Sequence, residues 1–185
     1  MTRLSPLLDP STLDDQQRAI YDSVITGPRK GFPYPIGIWL HRPKLAETAQ
    51  ALGQYLKFDS CLPLRLAEIA ILVVAKHWHA EYAWVAHKQI SMKNGVSLEI
   101  IEAIRTGVRP CFSQADEALV YDFVIALVNN YEIPEALYEK AVAELGEDGL
   151  VDLVGVLGYY TFIALTVTTF EVPLRPGQVP DLPPK

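Results

Sequence analysis

LPLRLAEIAILVVAKHWHAEYAWVAHKQISMKNG, residues Leu62 to Gly95, is the longest unbroken helical pattern in the first two-thirds of the chain and decides its fold class. Pro63 suits a helix start, and the apolar residues of LPLRLAEIAILVVAK surround the helix axis almost completely. A helix apolar on every side belongs in a core. A second helical segment, from about Ala80 to Lys93, closes at Asn94-Gly95, a pair expected to carry a left-handed C-cap. The stretch therefore predicts two consecutive helices. It also holds three of the four histidines and two of the three tryptophans.

Outward from this pair the helical period continues. Upstream, Ser11 or Thr12 with Asp14 and Asp15 reads as an N-cap, opening LDDQQRAIYDSVITG, which ends at Gly27. The next seventeen residues, GPRKGFPYPIGIWLHRP, hold three glycines and four prolines and are expected to form an ordered loop. That loop carries Trp39 and His41, and aromatic loops of this length tend to cover something. Pro43 then starts KLAETAQALGQYLKF.

Downstream, Ser97 caps SLEIIEAIRTG, and Ser113 with Asp116 resembles a capping box before DEALVYDFVIALVNN. Pro134 starts a helix that stops at Gly146, and a long apolar helix begins near Asp148. The tail 172–185 contains five prolines and is expected to drape over the surface or over a neighbouring subunit. Alternation at strand period is nearly absent. The class is all-α, in a single domain spanning 1–185.

Composition narrows the function. Half of the 185 residues are hydrophobic and 21% are charged, enough for a sizeable core, and the net charge is −6. The sixteen Lys and Arg are scattered and form no basic cluster, so no nucleic-acid partner is expected. Leu153 to Phe170 has no charged residue and approaches the length of a membrane span. It nevertheless holds two glycines, two tyrosines and four threonines and lacks flanking cations, so it reads as a buried helix and no membrane is expected. Cys61 and Cys111 make no CxxC, and the N-terminal residues have no signal-like apolar run. A cytoplasmic location follows as the expectation.

One acidic residue interrupts the core helix. The positions that share a face with Glu68 are Cys61, Leu64, Arg65, Ile71, Leu72 and Ala75. A carboxylate there either pairs with Arg65 at i−3 or stands at an apolar wall, equipped for proton transfer. On the second helix His87 shares its face with Ala80, Ala83, Trp84 and Ser91. Two small residues leave room and Trp84 supplies a flat wall, as a small organic substrate requires. The plainer alternative is a core histidine bound to one carbonyl. His77, His79 and Glu81 form no metal-binding spacing, so neither metal nor cofactor is expected.

RLAEIAILVVAKHWHAEYAWVAHKQISMKNGVSLEIIEAI resembles the core of the carboxymuconolactone decarboxylase family, which includes the alkylhydroperoxidase D-like proteins. The motif is a Glu, then a His nineteen residues later, followed by a helix ending at Asn-Gly. The resemblance implies an all-helical, AhpD-like bundle built around a helical hairpin and assembled into trimers or hexamers. It places the family's glutamate on Glu68, its histidine on His87 and its paired cysteines on Ala80 and Ala83. Without those thiols, peroxidase chemistry is not implied.

What the resemblance then implies is a decarboxylase-like lyase, or an isomerase, acting on a small carboxylated organic acid or lactone by cofactor-free acid–base catalysis. Glu68 and His87 would be catalytic; Trp84, Glu81, Tyr82, His41 and Trp39 would contact substrate. Two other readings stay open: a non-catalytic small-molecule-binding or assembly protein, and an antioxidant protein that relies on Cys61 or Cys111.

Overall fold

The computed structural model describes every residue except Met1, Lys30 and Lys185. The described residues are helical, without a strand. They form α1 (Asp15–Thr26), α2 (Tyr34–Trp39), α3 (Pro43–Phe58), α4 (Leu64–His77), α5 (Glu81–Lys93), α6 (Leu98–Thr106), α7 (Ala115–Ile125) and α8 (Glu135–Thr169). A one-turn 3-10 segment, Pro10–Thr12, precedes α1, and a π-helical turn, Ala126–Asn130, extends α7. The chain divides into two compact units, one comprising 1–59 with 166–173 and the other 60–165 with 174–185.

The first unit holds α1, α2 and α3. Asp14, rather than Ser11 or Thr12, caps α1: its side chain accepts from Gln17 N while the Gln17 side chain accepts from Asp14 N. Ser11 and Thr12 are drawn into the preceding turn by Asp9. The expected loop after Gly27 contains α2. Its proline, Pro35, lies in the first turn, where a missing N–H costs nothing, and the helix buries Ile36, Ile38 and Trp39. Gly37 allows close backbone approach, because a Cβ there would meet Pro6 Cβ at 3.0 Å and Leu7 O at 3.1 Å.

The second unit is built on α4, which packs against α5, α6 and α7. Every residue from Leu66 to Ala75 is buried, as its all-round apolar sequence requires. The α4–α5 hairpin turns on His79, which takes a left-handed φ of 51°. Ala80 N returns to Ala75 O and His79 N to Lys76 O, so the last carbonyls of α4 are satisfied.

Other caps follow the sequence with shifts. The left-handed residue after α5 is Gly95, not Asn94. Ser97 Oγ accepts from Ile100 N and Gly107 closes α6 with φ 78°. Gln114 stands at the N-cap of α7 without a side-chain bond, so the anticipated Ser113–Asp116 box does not form; Asp116 instead binds Arg65. In α8, Gly146 takes φ 70° and ψ 169°, breaking the rod where the sequence placed a stop. The apolar part of α8 is long enough to cross a membrane, yet just over half of its most apolar stretch is buried in the protein, as in a core helix.

Candidate functional site

Glu68 lies mid-helix on α4 and His87 mid-helix on α5, the two arms of the hairpin. Glu68 Oε2 is 2.8 Å from His87 Nδ1. The side chains are 5% and 12% exposed respectively, so water screens the contact little. Ser91, one turn beyond His87 and fully buried, directs its hydroxyl to His87 O at 2.7 Å and to Glu68 Oε2 at 3.3 Å. Tyr160 of α8 meets the imidazole edge-on, with centroids 4.8 Å apart and planes at 86°.

The contact fixes an orientation: with the Glu68 carboxylate as acceptor, Nδ1–H is the donor, and Nε2 is the ring nitrogen left for a reacting group. A carboxylate-oriented imidazole with a bare Nε2 is a general base, and once protonated a general acid. Arg65, the alternative partner for Glu68, is engaged elsewhere: its guanidinium spans Asp116 and Glu117, each at 2.6 Å. The Asp116 hydrogen bond is the largest influence holding it above its usual range.

The other residues picked from sequence fall into two groups. Glu81, Trp84 and Tyr82 lie on α5, and two of them hold the C-terminal tail. Glu81 Oε1 accepts from the backbone N–H groups of Asp181 and Leu182. Trp84 is fully buried and donates Nε1–H to Asp181 Oδ2 at 2.7 Å. Tyr82 is buried. Trp39 and His41 belong to the first unit, where Trp39 donates to Thr166 Oγ1 and His41 Nε2 lies 3.0 Å from Ser5 O. Ala80 and Ala83 are both buried.

Five contributors escaped the sequence reading: Lys88, Glu102, Arg105, Asp181 and Tyr160. Lys88 binds Glu102 and Asp181, and Arg105 reaches both Glu102 and Asp181 O, which locks the tail onto α5 and α6. Burial pushes Asp181 upward, but Lys88 and Trp84 more than offset it and hold the carboxyl below its usual value. Lys88 is the i+4 neighbour of Trp84, a spacing visible in the sequence; Asp181 and Tyr160 had no local signal.

His77 and His79 stand apart from this pair, one in an edge contact with Trp78 and the other forming the hairpin turn. Among the described residues no group of three or more His, Cys, Asp or Glu side chains is placed to hold a metal ion.

No family model and no curated protein sequence matches the chain. Solved structures do. An uncharacterized peroxidase-related protein from Silicibacter sp. TM1040 superposes with a TM-score of 0.76 at 18% identity, over 95% of this chain and 92% of that one. A peroxidase-related protein with an alkylhydroperoxidase AhpD core, from Ralstonia eutropha JMP134, gives 0.73 at 18% identity over 97% and 98%. The debrominase Bmp8, as a cysteine-to-alanine variant in complex with 2,3,4-tribromopyrrole, gives 0.72 at 13% identity over 95% and 93%. The fold is AhpD-like. At these identities it is the fold that is shared, and the AhpD-like assignment agrees with the all-helical class read from Leu62–Gly95.

Proposed function

We propose that this AhpD-like chain is an acid–base enzyme that decarboxylates a small carboxylated organic acid or lactone, with His87 as proton carrier and Glu68 as its orienting carboxylate. The observation that carries this reading is the 2.8 Å Glu68 Oε2–His87 Nδ1 bond between two largely buried side chains, which leaves Nε2 as the reactive nitrogen. When the C–C bond to a carboxylate breaks, CO₂ departs and the bonding pair passes to the adjacent carbon, delocalised into a neighbouring carbonyl. Protonated Nε2 then delivers a proton to that carbon and is recharged from solvent. One proton is consumed for each CO₂ released.

Redox chemistry fits less well. The chain has no CxxC. The Cys61 thiol donates to Asp152 Oδ2 at 3.3 Å, and this hydrogen bond is the main influence pushing its pKa up, away from the reactive thiolate. The bromopyrrole in the Bmp8 complex supports the idea that this fold can hold a small ring compound.

The deciding experiment is turnover across a panel of carboxylated lactones and β-keto acids by wild type, His87→Ala and Glu68→Gln. CO₂ release by wild type, abolished in His87→Ala with ligand binding retained, supports the enzyme. Tight binding with no turnover by wild type replaces it with a binding protein. Activity that survives His87→Ala but is lost when both cysteines become serine points to the thiol reading.

A further inference from the structure

A second site lies on the other side of α4. The C-terminal turn of α4, the end of α6, α7 and the π turn after it line a half-open cavity of about 190 Å³. Val73 and Ile104 give it apolar walls, Lys76, His77, Tyr121 and Asn129 give it polar groups, and no carboxylate lines it. On α4, Val73 and His77 face well away from Glu68, five and nine positions on at about 100° per residue, so the cavity is separate from the His87 centre.

Two of its polar groups make no hydrogen bond or ion pair among the described residues. Arg65, Lys88 and Arg105, the other partly buried cations of this unit, each hold a carboxylate. Lys76 is equally part-buried, yet among the described residues it makes no ion pair and no side-chain hydrogen bond. Tyr121 is 6% exposed and packs against Phe112, while its hydroxyl has no hydrogen-bond partner among the described residues. The ring is buried, but the hydroxyl oxygen itself stays accessible and so is open to a ligand or to water. Burial keeps this phenol protonated, as a donor.

The wall is completed by a feature rare in helices. The wide turn Ala126–Asn130 adds a residue to the helical ring and brings Val128 and Asn129 to the cavity. Such turns cost helix stability and are frequent at functional sites. The helix ends here carry partial negative charge, but their carbonyls are taken by Trp78 N, His79 N, Ala80 N, Gly107 N, Val108 N and Tyr131 N. Lys76 therefore offers a cation, Tyr121 a neutral donor and Asn129 an amide around an apolar floor.

We infer that this cavity binds a small monocarboxylate with a compact apolar body, its carboxylate held by Lys76 and Tyr121. The test is NMR titration of the full chain with sodium benzoate, with acetate and benzamide as comparators. The expected result is saturable binding of benzoate in the millimolar range or tighter, with shifts at Gly107 and the Asn129 amide. Acetate and benzamide should bind more weakly. Lys76→Met should weaken benzoate about tenfold and Tyr121→Phe about threefold, as expected on losing a charge-assisted and a neutral hydrogen bond.

His87→Ala should leave benzoate affinity unchanged, so this site and the proposed catalytic centre fail or stand separately. Absence of saturation, unchanged affinity in both Lys76→Met and Tyr121→Phe, or shifts centred on His87 would each overturn the assignment.

Discussion

Lys88 and Asp181, 93 positions apart in sequence, are joined by a 2.8 Å ion pair that fastens the proline-rich tail to the helix bearing His87. The same carboxylate accepts from Trp84, so α5 is gripped at two points one turn apart. Asp181→Ala should therefore loosen α5 and weaken the hold on the tail, which Glu81 and Arg105 keep only through its backbone. With side-chain exposures of 19% for Lys88 and 32% for Asp181, the expected loss is about 1–2 kcal/mol after allowing for solvent screening. Urea unfolding followed by tryptophan fluorescence measures the loss.

The tail contact is also acid-sensitive. Asp181 and Glu102 are both held below their ordinary values, Asp181 against the upward push of burial and Glu102 first of all by Lys88. Groups depressed on folding contribute stability that is full above the unfolded value and is lost as pH falls through the folded one. The tail should therefore release below the ordinary aspartate value of 3.8. Asp181→Asn should abolish most of that pH dependence; an unchanged acid transition in this variant would refute it.

Arg65 bridges Asp116 and Glu117, and the Glu117 side chain is only 3% exposed. Arg65→Ala strands a buried carboxylate and should cost about 3 kcal/mol. Adding Glu117→Gln should recover part of that loss. A double-mutant cycle showing simple additivity would contradict the geometry.

Two glycines of α8 should respond with opposite signs. Gly146, at φ 70° and ψ 169°, occupies backbone space essentially restricted to glycine, so Gly146→Ala should cost about 1–3 kcal/mol although nothing lies within 4 Å of the added Cβ. Gly158 is exposed within the helix and equally uncrowded in the single chain, so Gly158→Ala should stabilise the isolated protomer by up to about 1 kcal/mol. Thermal denaturation of the pair isolates backbone strain from packing.

Val151, Val154 and Leu165 are 71%, 51% and 44% exposed and, with Gly158, share one face of α8 at helical spacing. We propose this face as the contact through which the chain would self-associate. Light scattering should give an oligomer for wild type and a smaller species for Val154→Lys; a wild-type monomer at micromolar concentration would end the proposal.

Much of the fold was legible because local chemistry and burial agree. The all-round apolar α4, the capping serine at Ser97 and the breaks at Gly107 and Gly146 all declare themselves within a few residues. The Glu68–His87 pair was only half legible: each residue stood out on its own helix, but Arg65, three positions before Glu68, was an equally good partner by spacing. What stayed hidden depends on distant partners. Asp116 looked like a cap because Arg65, 51 positions earlier, is invisible to a local reading. Trp84 and Glu81 looked free to meet a substrate because their partners lie 97 and 100 positions later. Helix α2 was missed because prolines were weighed as breakers, although in a first turn they are compatible with a helix.

The clasp of Glu81 on Asp181 has a consequence in time. Asp181 is synthesised 100 residues after Glu81, a delay of about 5–20 s at ordinary elongation rates. For that interval Glu81 and Trp84 lack their Asp181 partner, and Lys88 has only Glu102. The helix that carries His87 is thus made early and finished late, and it reaches its final set of bonds only when the tail emerges.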